Sequence, residues 1–324
     1  MDDETHDLLA TVASLYYEEN LTQDVISERL GYSRSYISRL LTEARKEGIV
    51  EIHINHRLQR DKPLEERLKQ QFQLKDVRIL RTPGATYAQM LHRVGALGAS
   101  FLEEQVRDSY VLGVSWGTAL YEVALALHEQ RYPNLKVVQL LGTIGTIEPH
   151  LDGPGIVRSF ARSLGAQYYT LPAPWLLDTR MVRDALYTDS HMRQVLDLTD
   201  SLDVAYVGIG TIVPQYSSLV QAGFITADDA VRLQETFIVG DVCGQLIDIQ
   251  GNLRENPIPG YVFGIKAENL RKVPLVVGVA GGRLKAPAIL GALNSRLINV
   301  LITDEEAANH LLLLNEAVET APRV

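Results

Sequence analysis

Between residues 7 and 46 the apolar positions recur three and four apart. Leu8, Leu9, Val12, Leu15 and Tyr16 make one stripe, Val25, Ile26 and Leu30 a second, and Ile37, Leu40, Leu41 and Ala44 a third. Such spacing predicts three amphipathic helices. Thr22 stands where the second helix needs an N-cap, with Asp24 near its positive end. Gly31 is placed to end that helix in a left-handed conformation, and Ser33 to cap the third. Gly48 closes the third helix, and Ile49–Ile54 alternates like a strand. Helix, short helix, tight turn, helix and strand outline a winged helix-turn-helix over residues 1–56. A polar stretch follows, then Pro63 in the first turn of a helix predicted over Leu64–Phe72. Residues 57–75 therefore read as a connector. It either docks on the next domain or links and dimerises.

From residue 76 to 324 strand-like and helix-like segments alternate. The strand candidates are Val77–Leu80, Tyr110–Val114, Lys136–Leu141, Tyr168–Leu171, Val204–Ile209, Leu275–Val279 and Asn299–Ile302. Many are continuous apolar runs, the pattern of strands buried on both faces of a parallel sheet. Helical segments fall between them, so the fold class is α/β, with a Rossmann-like doubly wound domain behind the winged helix.

Charge sharpens the picture at the N-terminus. The chain carries 31 Lys and Arg against 40 Asp and Glu, a net charge of −9. Residues 29–46 run the other way, with five basic residues and one acid, whereas residues 1–28 hold eight acids and no Lys or Arg. Positive charge is thus concentrated on the helix that would enter the major groove. Ser33, Arg34, Ser35, Tyr36, Ser38, Arg39 and Arg45 are its candidate DNA contacts, with Thr22 and Gln23 at the start of the preceding helix. Arginine forks onto guanine, and hydroxyls suit phosphates or base edges.

Composition excludes other classes. No apolar stretch approaches the roughly 20 residues of a membrane span. The acidic start does not read as a signal peptide, and the single cysteine, Cys243, allows no disulfide within the chain. A cytoplasmic protein with no membrane partner is expected. The eight histidines show no metal-binding spacing, so neither metal nor cofactor is expected.

In doubly wound sheets ligands bind beyond the carboxyl ends of strands. Five glycine-bearing loops fall there. Gly113-Val114-Ser115-Trp116-Gly117-Thr118 joins a strand to a helix start, where free N–H groups attract an anion. It is neither a dinucleotide fingerprint nor a P-loop. Gly142-Thr143-Ile144-Gly145-Thr146 and Gly208-Ile209-Gly210-Thr211 follow further strands. Gly240-Asp241-Val242-Cys243-Gly244 supplies a carboxylate for sugar hydroxyls. Gly281-Gly282-Arg283-Leu284-Lys285 brings an ammonium to a helix start, where it can pair with phosphate. Together these residues suit a phosphorylated sugar.

The Gly113–Thr118, Gly240–Gly244 and Gly278–Ala286 motifs, with the Leu21–Glu51 segment and Leu301-Ile302-Thr303-Asp304-Glu305, resemble the SorC family of sugar-binding bacterial transcriptional regulators (SorC/DeoR type). The resemblance spans nearly the whole chain. It implies an effector domain similar to sugar-phosphate isomerases and deaminases, control of operator DNA binding by a phosphosugar, and a homo-oligomer, dimer or tetramer. By position it puts phosphate on Trp116–Thr118 and Lys285, and sugar near Asp241. Some members use a lysine after the next strand to react with the effector. Gln139–Thr143 contains none, so no covalent effector is expected.

Two enzymatic readings compete. Gly113–Gly117 matches the nucleophile-elbow pattern Gly-x-Ser-x-Gly, with Asp241 and His310 in the chain order of a hydrolase. The appended DNA-binding module argues against it. A sugar-phosphate isomerase or deaminase needs a placed acid–base pair, and only Asp241 and Glu148 fall near the loops, with no histidine beside them. No catalytic residue is assigned. A third reading, a carbohydrate-binding module whose N-terminal helices dimerise, differs in predicting no salt-dependent DNA binding.

Overall fold

The computed structural model describes residues 3–50, 58–145, 152–255 and 260–320. The candidate wing strand beyond Val50, the 56/57 boundary, Thr146 and Glu148 lie outside them. Contacts divide the chain into two units, residues 1–57 and 58–324.

The first unit holds α1 (Asp3–Tyr17), α2 (Gln23–Leu30) and α3 (Arg34–Lys46). Its core is Leu9, Val12, Ile26, Ile37, Leu40, Leu41 and Ala44, the apolar stripes turned inward. The ends are fixed locally. Thr22 Oγ1 accepts the Val25 N–H, Gly31 takes φ 72°, and Ser33 Oγ accepts the Tyr36 N–H. Caps of this kind are worth about 1 kcal/mol each.

The second unit opens with α4 (Lys62–Phe72), which docks instead of standing free. Leu68 is fully buried, and the buried Glu65 accepts the Ile79 N–H (3.0 Å) and a two-pronged ion pair from Arg60 (2.6 and 2.7 Å). The strands are β1 (Asp76–Leu80), β2 (Val111–Val114), β3 (Lys136–Gln139), β4 (Gln167–Tyr169), β5 (Leu176–Leu177), β6 (Val204–Thr211), β7 (Ile238–Val242), β8 (Gln245–Asp248), β9 (Tyr261–Val262), β10 (Leu275–Val279) and β11 (Val300–Asp304). The main sheet has the order β1-β11-β10-β6-β2-β3-β4, all parallel. α5 (Tyr87–Gln105) and α6 (Thr118–Ala126) pack on one face.

Both faces are apolar. In β6, Val204 and Tyr206 join the core beneath α5 and α6, while Ala205, Val207 and Ile209 join the core on the opposite face. This two-sided burial is why the strands read as unbroken apolar runs. No helix among the described residues is long and apolar enough to cross a membrane.

One part of the sheet is not parallel. β6 continues into an antiparallel ladder with β7 and β8. Cys243 (φ 50°) and Gly244 (φ 70°) form its two-residue turn. Two successive positive φ angles define a type I′ hairpin, so Gly240–Gly244 is a strand and hairpin turn rather than a strand-to-helix loop. β5 and β9 form a separate two-stranded ribbon.

Candidate effector pocket and DNA-reading helix

The chain leaves β2 toward β3 and β4 on one side, and leaves β6 toward β10 and β11 on the other. The carboxyl ends of β2 and β6 therefore flank the topological switch point, where open α/β sheets form their ligand crevice. A cavity lies there, lined by Ser115–Ala119, Gly208–Thr211, Asp241 and Lys285, with Leu141, Cys243, Ser218 and Leu219 closing it.

The β2–α6 loop is tied at one end and open at the other. The Ser115 N–H donates to the Tyr206 carbonyl (3.0 Å), and Ser115 Oγ accepts the Gly208 N–H (3.2 Å). This bond clamps the two strand ends together. Gly117 takes φ 131°, which favours glycine, and among the described residues no side chain caps the amino end of α6. Its first N–H groups remain available to an anion.

Two charged groups face the same space. The buried Lys285 donates from Nζ to the Ile209 carbonyl (3.0 Å). Burial lowers its pKa to about 8, against the opposing pull of Asp241. Burial raises the Asp241 pKa, opposed by the Gly244 N–H (3.0 Å) and by Lys285. Burial also pushes the Cys243 thiol up, which favours its neutral form. Space for the centre of a water-sized body is only about 30 Å³, room for about two waters. A sugar enters only if the walls part.

Other predicted residues fall elsewhere. Gly113 lies within β2, where a Cβ would stand 2.6 Å from Leu140 Cδ2. Gly142 lies against the Ala173 and Pro174 carbonyls, and the Thr143 N–H donates to Ala173 (2.8 Å). Gly281 and Gly282 line a neighbouring cavity of about 300 Å³ with Tyr87, Tyr216 and Asp304, and Lys285 borders both. Sequence reasoning placed Gly208–Thr211 in a loop after a strand; they are instead the last residues of β6, held in the strand by the pairing of Ile209–Thr211 with β7, and they still line the cavity. Ser218 and Leu219 carried no such signal. His310 lies on the helix Glu305–Thr320 and does not line the cavity. A larger cleft of about 610 Å³ beside β5 and β9 holds cations already engaged, Arg183 with Asp184 and Arg254 with Asp248.

Both tryptophans of the chain report on the pocket. Trp116 lines it, and Trp175 meets Trp116 edge-on with ring centroids 5.9 Å apart. Among the described residues both buried indole N–H groups have no partner. Effector binding is therefore expected to change intrinsic fluorescence, and Trp175→Phe should retain a Trp116 signal. Unchanged emission at a saturating ligand concentration would place binding elsewhere.

On the first unit, Ser35, Arg39, Thr42 and Lys46 form the outward row of α3, spaced four, three and four. Arg34 is on the flank, paired with Asp24 (3.3 Å), and Tyr36 is on the other flank. Arg45 turns back to the Leu41 carbonyl (3.3 Å). Ser33 and Thr22 are occupied as caps, and Gln23 is the first residue of α2.

A reading helix and an α/β domain with a pocket at its switch point define a ligand-controlled DNA-binding regulator. The comparisons agree. Residues 56–313 match the Sugar-bind family of sugar-binding domains, and residues 10–47 match region 4 of sigma-70. The sorbitol operon regulator of Klebsiella pneumoniae is 32% identical over 94% of this chain and 97% of its own. The deoxyribonucleoside regulator of Bacillus subtilis is 29% identical over 96% and 99%. The crystal structure of full-length SorC from Klebsiella pneumoniae superposes with a TM-score of 0.72 at 31% identity, covering 96% of this chain and 99% of that one. The chain belongs to the SorC family of sugar-binding transcriptional regulators. Its relatives are named as regulators, which does not favour the isomerase and deaminase reading.

Proposed function

We propose that the effector is a phosphorylated sugar, and that it binds in the switch-point pocket of a homo-oligomer acting on operator DNA in the cytoplasm. The observation carrying this reading is the convergence of an uncapped helix start and a buried ammonium on one cavity. Trp116–Ala119 N–H groups, the Thr118 hydroxyl and Lys285 hold the phosphate, and Asp241 accepts sugar hydroxyls. Two recognition helices, one from each protomer, read a two-fold operator. Parting the pocket walls on binding shifts their placement, with a coupling of about 1–3 kcal/mol in operator affinity.

The test is thermal unfolding against matched phosphorylated and unphosphorylated sugars. A ligand at 100 times its Kd adds about 2.7 kcal/mol of stability. Stabilisation confined to phosphosugars is expected. Stabilisation by free sugars alone would overturn the phosphate assignment.

A further inference from the structure

The outward row of α3 carries one arginine, Arg39, between Ser35 and Thr42. Among the described residues its guanidinium contacts a ring, not a carboxylate. Its Cζ lies 5.5 Å from the centre of the Tyr36 ring. Tyr36 is itself braced. It is half-buried against the three-helix core, and the Tyr32 ring leans on it at 5.1 Å with an interplanar angle of 51°. The Tyr32 carbonyl is held in turn by the Ser27 hydroxyl. A ladder of two rings thus runs from the α2–α3 turn to the guanidinium.

Arg34 differs in every respect. It points off the row toward α2 and is engaged with Asp24, both side chains being about two-thirds exposed. A pair so exposed is weak, and a DNA phosphate can replace the carboxylate.

We propose that Tyr36 is a positioning residue that holds Arg39 for reading a base, and that Arg34 serves the phosphate backbone. An arginine loses rotamer freedom when it docks bidentately on guanine. A guanidinium already laid on a ring has lost part of that freedom before contact. The ring contributes through its face, so phenylalanine can replace tyrosine and an aliphatic residue cannot.

The experiment uses the full-length protein and a duplex enriched by it from a random-sequence library. Affinity is measured for that duplex, for each single-pair variant of it, and for a random-sequence duplex across a salt series. Arg39→Ala is expected to lower affinity for the enriched duplex about 5- to 150-fold and to flatten preference at one base pair. Tyr36→Leu should lose about two- to fivefold at that same base pair. Tyr36→Phe should match wild type. In the Arg39→Ala background, Tyr36→Leu should cost nothing further. Arg34→Ala should weaken enriched and random duplexes alike and reduce the salt slope by about one ion.

Binding to the random duplex serves as the folding control. If Tyr36→Leu loses it, Tyr36→Met replaces leucine in the cycle. The proposal is overturned if Tyr36→Phe is as damaging as Tyr36→Leu, because the phenol would then touch DNA itself. It is equally overturned if the tyrosine and arginine effects add, or if Tyr36→Leu leaves base preference unchanged.

Discussion

Replacing Lys285 with methionine is expected to weaken effector binding by about two orders of magnitude or more. The unliganded protein should keep its affinity for DNA. The side chain is buried and delivers its ammonium to the pocket. Losing one partner of a buried, hydrogen-bonded charge pair costs about 2–5 kcal/mol. Binding also carries a pH signature. With a pKa of about 8 in the free protein, Lys285 is charged below that value and loses its proton above it. A phosphate monoester gains its second charge near pH 6. Affinity should therefore rise through about pH 6, stay level, and fall by up to tenfold per unit above about 8. Stability of the unliganded fold runs differently. The folded-state pKa lies below the ordinary value of 10.5, so the unfolded chain binds more protons between about 8 and 10.5. Stability then rises with pH across that window. Calorimetric titration of the phosphosugar from pH 5 to 10 checks the affinity profile. A Lys285→Met variant that binds as well as wild type would remove the lysine from the site.

Much of this arrangement is legible in the sequence because local chemistry dictates it. Thr22, Gly31 and Ser33 mark the helix ends by their own side-chain and backbone requirements, and each does so in the structure. The two-sided burial of β6 and β11 shows as continuous apolar runs for the same reason. What depends on distant contacts is not legible. Gly113 and Gly142 look like ligand loops, yet their missing side chains make room for Leu140 and for the Ala173 and Pro174 carbonyls. A glycine beside a ligand and a glycine beside another strand look alike along the chain. Gly281 and Gly282 share a motif with Lys285 but turn to a second cavity, because the 3₁₀ turn Arg283–Lys285 redirects the chain between them. The Cys243–Gly244 hairpin escapes recognition because cysteine is an unusual residue at a positive φ. The walls of the pocket are thus set by how β6, β7 and the helix after Lys285 pack, which bears directly on what the site tolerates.

That packing is tightest against backbone at Gly240, and Gly240→Ala is expected to destabilise the fold by about 3 kcal/mol. The added methyl would overlap the Gly210 carbonyl oxygen and stand 2.7 Å from the Ala288 Cβ. Neither neighbour can rotate away. Gly210 belongs to the strand paired with β7, and Ala288 to the buried helix Ala286–Asn294 that begins beside Lys285. Relief requires the β6–β7 ladder to open, which moves Gly210 from its place against the Asp241 carboxylate. Effector affinity should fall together with stability. Gly223→Ala is the control. It also introduces a Cβ, at φ 74°, but with no atom within 4 Å. Only backbone strain of about 1–2 kcal/mol is expected there. At roughly 2–4 °C per kcal/mol for a domain of this size, Gly240→Ala should lower the Tm by about 6–12 °C. Gly223→Ala should lower it by about one- to two-thirds as much, roughly 2–8 °C, with effector binding intact. Equal shifts in the two variants would mean that the contacts at Gly240, whose φ is not positive, cost no more than backbone strain does at Gly223. A Gly240→Ala protein that unfolds like wild type would show that β6 and β7 can part without cost, and the walls around Asp241 and Lys285 would then be free to open for the ligand.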